Sequence, residues 1–425
     1  MAPPLPPSNL AVPAQLQAPV QVPVPADVLL PRGAIVALSV AAFGSGMSLR
    51  VMDAMLPRLA AEFSLTLGAA ASVITVFAVA YGLAQLLFGP LGDRFGKYRV
   101  VALGCLACAL TTVACALAPS FGLLLLARTL AGATAASIIP LSMAWIGDVV
   151  AYERRQPVLA RFLIGQILGL SGGVALGGYA ADHLQWRTPF VLIALVFLLI
   201  AAWLLVLNRR LPPQARQHRQ GEGSAVVRMV SEFGQVLALP WARVILATVF
   251  AEGAFLYGSF AFMVSHLHQL HAMSLSAAGQ VVMLYGLGGL LFAFAAPGLV
   301  RRLGEVGLCK WGGILVALAF LMVALADAWW WSVPACFMAG LGFYMLHNTL
   351  QINATQMAPE RRGAAVAAFA SCFFIGQSVG IAANGQLIAL VGTTGIIVLG
   401  ALGVWLVSWN FVRLLRTKRR HDLEE

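Results

Sequence analysis

Charge is what this chain has least of. Asp, Glu, Lys and Arg make up 10% of its 425 residues, against 60% hydrophobic ones. A soluble domain carries roughly 25% charged residues, so a mostly water-facing surface is excluded and much of the exterior must face lipid. Carboxylates are scarcer than cations, 16 against 27, which leaves a net charge of +11. Cysteine is sparse too. Cys105, Cys108, Cys115, Cys309, Cys336 and Cys372 all fall within or at the edge of apolar stretches, so no disulfide framework is expected. The Cys105-x-x-Cys108 pair reads as helix packing, because free cysteine behaves as a small hydrophobe. No Walker lysine motif is present, which argues against ATP as a driver. No nucleophile, base and orienting group fall together, so neither catalytic residues nor a cofactor are expected. The N-terminus lacks a basic stretch leading into an apolar core and does not read as a signal peptide.

Apolar sequence is what the chain has in abundance. Runs of about 20 residues recur, long enough to cross a hydrocarbon core of ~30 Å at 1.5 Å per residue. Twelve spans are expected, near 33–59, 68–88, 100–118, 121–147, 160–180, 189–208, 243–266, 277–297, 308–328, 330–352, 364–388 and 392–412. Alternate loops then lie on opposite sides. With the N-terminus inside, every Lys and Arg outside the spans except Arg58 and Arg187 falls on the inner side, while Arg50 and Arg128 lie within spans. The positive-inside rule places both termini in the cytoplasm. The basic excess thus reflects topology and contact with membrane lipid, not nucleic acid. The expected fold is an all-α membrane protein, with twelve transmembrane helices in two pseudo-symmetric six-helix bundles. A monomer in a bacterial inner membrane is the expected setting.

Residues 1–31 hold nine prolines and one charge, Asp27, and read as a disordered cytoplasmic tail. A first bundle follows over 32–208. Residues 209–242 form a basic cytoplasmic linker, in which Val226, Val230, Phe233 and Leu237 recur at helical spacing as an amphipathic helix on the membrane face. The second bundle covers 243–412, and 413–425 is a basic cytoplasmic tail. The bundles are related in sequence. Glu153-Arg154-Arg155 recurs as Glu360-Arg361-Arg362, and Gly132 as Gly340. Phe162, Ile164, Gly165, Gln166 and Gly169 recur as Phe373, Ile375, Gly376, Gln377 and Gly380, at an offset of 211. Such matches imply duplication of a six-helix unit.

Between the second and third runs lies Gly89-Pro90-Leu91-Gly92-Asp93-Arg94-Phe95-Gly96-Lys97-Tyr98-Arg99. Gly89 and Gly92 permit close helix approach, and Gly96 permits a backbone conformation closed to most residues. Asp93 and Arg94 can bond helix ends or each other. The segment resembles the signature loop between helices 2 and 3 of major facilitator superfamily transporters, G-x-x-x-D-[RK]-x-G-x-[RK]-[RK]. Gly89, Asp93, Arg94, Gly96 and Arg99 match it, and Tyr98 departs from it. The resemblance implies secondary transport by alternating access, with substrate bound between two halves near mid-membrane.

Ionisable groups inside spans are costly and mark functional hypotheses. Here they are Arg50, Asp53, Arg128, Glu252 and His347. Asp53-Ala54-Met55-Leu56-Pro57 resembles the D-x-x-x-P of helix 1 in drug/proton antiporters of the superfamily. Arg128-Thr129-Leu130-Ala131-Gly132 resembles their R-x-x-x-G of helix 4. That resemblance implies proton coupling at Asp53 and Arg128, which lie at similar depth and are expected to meet. Structural pinning is the other reading of each, and Arg50, three residues from Asp53, shares its helix face. Gly169-x-x-x-Gly173-Val174-x-x-Gly177-Gly178 resembles the antiporter signature of helix 5 with its proline replaced. Glu252 is isolated in sequence and is either a second proton site or a bundle contact. Arg50, Gln166, His347, Asn348, Gln351 and Gln377 are the candidate substrate contacts, or alternatively interhelical glue. Met263, His266, His268, His271 and Met273 match no fixed metal spacing and read as a solvated loop without metal.

These features together imply proton-coupled efflux of small amphipathic organic compounds, with protons and membrane lipids as the other partners. A sugar or metabolite exporter, an uptake symporter, a transition-metal carrier and a transport-dead membrane sensor remain open.

Overall fold

The computed structural model describes residues 30–31, 33–216 and 225–424. The expected tail, apart from 30–31, and Arg32 and Arg219 lie outside the described residues. So do the side chains of Glu153, Val226, Arg228, Val230 and Arg420. The described chain is helical, with no strand among the described residues. The first part runs through α1 (Ala34–Arg50), α2 (Leu56–Glu62), α3 (Leu67–Ala70), α4 (Ser72–Phe95), α5 (Lys97–Leu117), α6 (Phe121–Ala135), α7 (Ile138–Val149), α8 (Tyr152–His183) and α9 (Thr188–Arg210). A 3-10 turn, Pro213–Arg216, leads towards α10 (Ala225–Ala238). The second part comprises α11 (Pro240–Glu252), a π-helical turn Gly253–Tyr257, α12 (Gly258–Phe260), α13 (Met263–His271), α14 (Leu275–Val282), α15 (Leu284–Leu325), α16 (Ser332–Gln356) and α17 (Arg362–Glu424).

Eight helical stretches among the described residues are long and apolar enough to cross a membrane. Two of them, Leu275–Leu325 and Pro359–Arg419, are 51 and 61 residues long, about twice what one crossing takes. Each is interrupted by a glycine with non-helical backbone, Gly304 (φ 60°) and Gly392 (φ 66°). Each also doubles back there. Gly288 and Gly312 both lie against α16 at nearly the same level, beside Leu341 and Gly342. A straight helix would hold them about 36 Å apart. Likewise Ser259 Oγ donates to Ile396 O at 2.8 Å and contacts Asn384 Nδ2 at 3.4 Å, on either side of Gly392. The exterior is ringed with exposed Leu, Val, Phe and Trp, including Leu110, Leu117, Leu199, Phe294 and Leu390, as a lipid-facing surface requires.

The internal repeat reappears in packing. Helices approach closely where a glycine replaces a side chain. A Cβ at Gly165 or Gly169 would meet the carbonyls of Ser39 or Phe43, and one at Gly376 or Gly380 would meet those of Phe250 or Ala254. Gly132 packs on the Phe77 carbonyl as Gly340 packs on that of Tyr285. The carbonyls therefore repeat at the same offsets as the glycines. Gly96 (φ 87°) and Gly304 share the positive-φ break between successive helices, a conformation open to glycine at little cost.

The linker helix is described in part. Helix α10 forms, and among its described side chains Val236 is buried, Phe233 half-buried and Leu237 exposed. It rests against α4, α11 and α17, so protein contact rather than the interface alone sets its orientation.

Candidate functional site

The break between α1 and α2 places the first charges. Pro57, at the start of α2, has no N–H to give to the carbonyl four residues earlier, that of Asp53. The chain between is held by shorter bonds, Asp53 N–H to Arg50 O at 3.2 Å and Met55 N–H to Met52 O at 3.0 Å. Asp53 sits in this unwound turn. Its Oδ2 accepts from Arg50 Nη1 at 3.2 Å, with both side chains buried, at 1% and 3% exposure. Its Oδ1 is buried with no hydrogen-bond partner among the described residues. The Arg50 guanidinium lies 3.7 Å from the ring centroid of Tyr257, beyond the linker in sequence, a cation–π contact. The Tyr257 hydroxyl meets that of Tyr285 at 2.9 Å.

Arg128, on α6, does not bond Asp53. Its Nε donates to Val73 O at 3.3 Å and its Nη1 to Ser48 O at 3.1 Å, and its guanidinium lies over Phe77. Its Nη2 is buried and unpartnered among the described residues. The expected pair is thus replaced by Arg50–Asp53. Three residues on one chain segment bring Arg50 within direct reach, while two carbonyls near the α1 end and the start of α4 take up Arg128.

Glu252 is not isolated. It ends α11, just before the π-helical turn, is fully buried, and its Oε2 meets His347 Nδ1 at 2.8 Å. Its Oε1 lacks a hydrogen-bond partner among the described residues. His347 projects from α16 among Phe343, Phe369 and Phe373, with ring centroids at 4.9, 5.3 and 4.7 Å. Gln377 is fully buried, and both ends of its amide lack partners among the described residues. Gln166, Asn348 and Gln351 are half-buried. The aromatic cluster around Tyr257 continues through Tyr285, Phe343 and Phe373, and Tyr81 of α4 packs on Phe374 of α17 at 4.3 Å. Buried charges, unfilled hydrogen-bonding capacity and stacked rings therefore meet where the first part of the chain touches the second.

The signature loop is tied through Lys97. Asp93 pairs with Lys97 at 3.4 Å, and Lys97 with Asp148 at the end of α7. Arg94 lies against the Phe95 ring, and Arg99 is exposed. Asp93 and Arg94 do not pair, because the i, i+4 spacing favours Lys97 over an adjacent side chain. Gly92 packs on Leu141, as a close approach requires, but Gly89 faces open space. At the opposite end, Asp182 of α8 accepts from the backbone N–H groups of Leu275 and Ser276, at 3.3 and 2.6 Å. Gly178 and Gly68 there lie against the carbonyls of Leu275 and Gly385. Sequence reasoning missed Asp182. Its signal was an acidic residue at one span end and a Ser-Leu-Ser helix start at another.

The histidine cluster divides. His266 is buried in α13, its nitrogens engaged by Thr393 Oγ1 at 2.9 Å and Val323 O at 3.0 Å. His268 Nδ1 meets Met273 O at 2.7 Å. Met263–His271 is helical, and Met273 lies in the short connection that follows.

A sequence profile of the Major Facilitator Superfamily matches residues 38–381. The chain belongs to the Major Facilitator Superfamily. It is a multi-pass membrane transporter of that superfamily. It is 27% identical to the uncharacterised MFS-type transporter YwfA of Bacillus subtilis strain 168, over 68% of each chain. It is 29% identical to the multidrug efflux pump LfrA of Mycolicibacterium smegmatis, over 50% of this chain and 42% of that one. Its fold matches a POT family transporter crystallised with 5-aminolevulinic acid, with a TM-score of 0.73 at 13% identity, over 89% of this chain and 95% of the other. For a superfamily transporter, the buried polar cluster between the two parts of the chain is the candidate transport site.

Proposed function

We propose that this transporter couples proton entry to the export of small amphipathic organic compounds by alternating access. In this reading it spans a bacterial inner membrane twelve times, as two six-helix bundles (32–208 and 243–412), with both termini and the linker in the cytoplasm. The reversals at Gly304 and Gly392 and the repeated glycine–carbonyl contacts support that division.

The observation that carries the function is the Arg50–Asp53 pair, buried in an unwound turn and seated on Tyr257 from the other half. A buried ion pair of this kind is weak evidence for stability. Its position across the interface makes it sensitive to any rocking of the halves. Asp53 can be held by Arg50 or by a proton, and a substrate cation competes for the same carboxylate. Glu252 and His347 form a second exchangeable pair, with aromatic rings beside it for an apolar substrate. Arg128 positions the α1 end through Ser48. In this reading the Asp182 cap and the close approaches at Gly68 and Gly178 are the contacts that close the outer side.

The test is flux in proteoliposomes. A panel of lipophilic compounds is expected to move uphill when a pH gradient is imposed and to stop when a protonophore dissipates it. Uphill movement of sugars alone would favour the sugar-exporter alternative.

A further inference from the structure

A cavity of about 390 Å³ opens at the signature-loop end, between α5, α9 and the turn that follows α9. Arg99, Arg209 and Arg216 converge on it, with Asn208 beside them. Among the described residues no carboxylate lines it, and none of the three guanidiniums has an ion-pair partner. All three are exposed, so solvent screens much of their mutual repulsion, and an anion held between them would offset what remains. A guanidinium presents a planar fork of donors matched to phosphate oxygens.

The cavity is built rather than incidental. Tyr98 stands where the signature loop has its second basic residue. It is buried, with its ring centroid 4.7 Å from that of Trp145. The Trp145 indole N–H donates to Ala215 O at 3.1 Å, which fixes the turn carrying Arg216. Arg216 in turn donates from Nη2 to the carbonyl of Arg209 at the end of α9. The residue that departs from the family pattern thus anchors the wall that brings the third arginine in.

We propose that this cavity binds the phosphodiester headgroup of an anionic phospholipid. Two apolar faces lead away from it and favour a lipid over free phosphate. On α5, Leu103, Leu110 and Leu117 follow Arg99 at spacings of four, seven and seven, and all are exposed. On α9, Leu205, Leu198, Leu195 and Val191 follow Arg209 on one face, exposed or half-buried. Side chains at these spacings stack along a single helix face, and α5 packs against α9. A headgroup held by the arginines would lay its acyl chains along these two faces. Basic pockets between membrane helices on the cytoplasmic side recognise lipid headgroups in this way. The proposal needs only that the protein is embedded, and does not depend on what it transports.

Native mass spectrometry of the full-length protein with added phosphatidylglycerol or phosphatidylcholine of equal chain length tests it. Wild type should hold phosphatidylglycerol about tenfold more tightly than phosphatidylcholine. Arg209→Ala/Arg216→Ala should lose that preference. Arg413→Ala/Arg416→Ala, which removes the same charge from another inner-end site, should keep it. Arg209→Lys/Arg216→Lys should retain part of it, so the arginine fork is tested even if the alanine variant does not fold. Millimolar inorganic phosphate should fail to displace the lipid. Equal retention of both lipids by wild type would overturn the proposal, as would an unchanged preference in the alanine variant. Saturable binding of phosphate alone, lost in that variant, would reassign the cavity to a free anion.

Discussion

Asp53 has one direct side-chain partner, Arg50, and that fixes what its neighbours should do when changed. Removing Arg50 leaves a buried carboxylate unpaired, which destabilises by about 3–5 kcal/mol, whereas removing both partners costs less. Arg50→Ala should therefore unfold at lower temperature than Arg50→Ala/Asp53→Ala, as read by thermal unfolding in detergent. A double variant less stable than the single one would mean that the pair is not the unit the geometry makes it. The two arginines should also separate by pH. Arg50 bonds Asp53 and Arg128 does not, so Arg50→Ala should move the midpoint of the pH–flux profile further than Arg128→Ala. Arg128→Lys should recover part of the transport lost in Arg128→Ala, since a point charge reaches one carbonyl where the fork reaches two. Equal shifts from the two alanine variants would return Arg128 to a direct role at Asp53. The charged residues themselves were legible in the sequence, because an ionisable group stands out in an apolar run. Their partners were not. The choice between Arg50 and Arg128 turns on side-chain direction, and Glu252 and His347 lie 95 residues apart in the chain.

Among the elements, glycine spacing was the readable signal. The repeat that sequence offsets suggested reappears as glycine–carbonyl contacts between helices at the same offsets. Two kinds of element contact stayed hidden, for different reasons. The Asp182 cap on α14 joins a side chain to backbone N–H groups, which carry no residue identity. The burial of Val236 depends on which helices lie under α10, and periodicity within one helix does not contain that. Closure at the Asp182 end should be sensitive to bulk. A valine at Gly68 would push against the Gly385 carbonyl and hold the halves apart. In a background without the native cysteines, a cysteine at buried Ala278 should then label faster in Gly68→Val than in its parent. Unchanged labelling would show that this approach does not limit opening. At the other end, Asp93→Asn should shift the resting population, because it breaks the chain of charges that ties α4 through Lys97 to α7. The effect requires that the tie differ between states. An inside-versus-outside labelling ratio unchanged from wild type would count against it.

Across the whole molecule, composition and the signature loop were enough to place the chain among membrane transporters, and they left the substrate open. Substrate choice is set by pocket shape and by a few unfilled polar atoms, such as those of Gln377, and neither has a sequence signature of its own. The central claim is that proton movement through Asp53 drives transport. The most direct test is counterflow against gradient-driven flux in proteoliposomes, for wild type and Asp53→Asn side by side. The account predicts that Asp53→Asn keeps substrate exchange across the membrane and loses uphill flux under a pH gradient, while wild type shows both. Full gradient-driven flux in Asp53→Asn would contradict it.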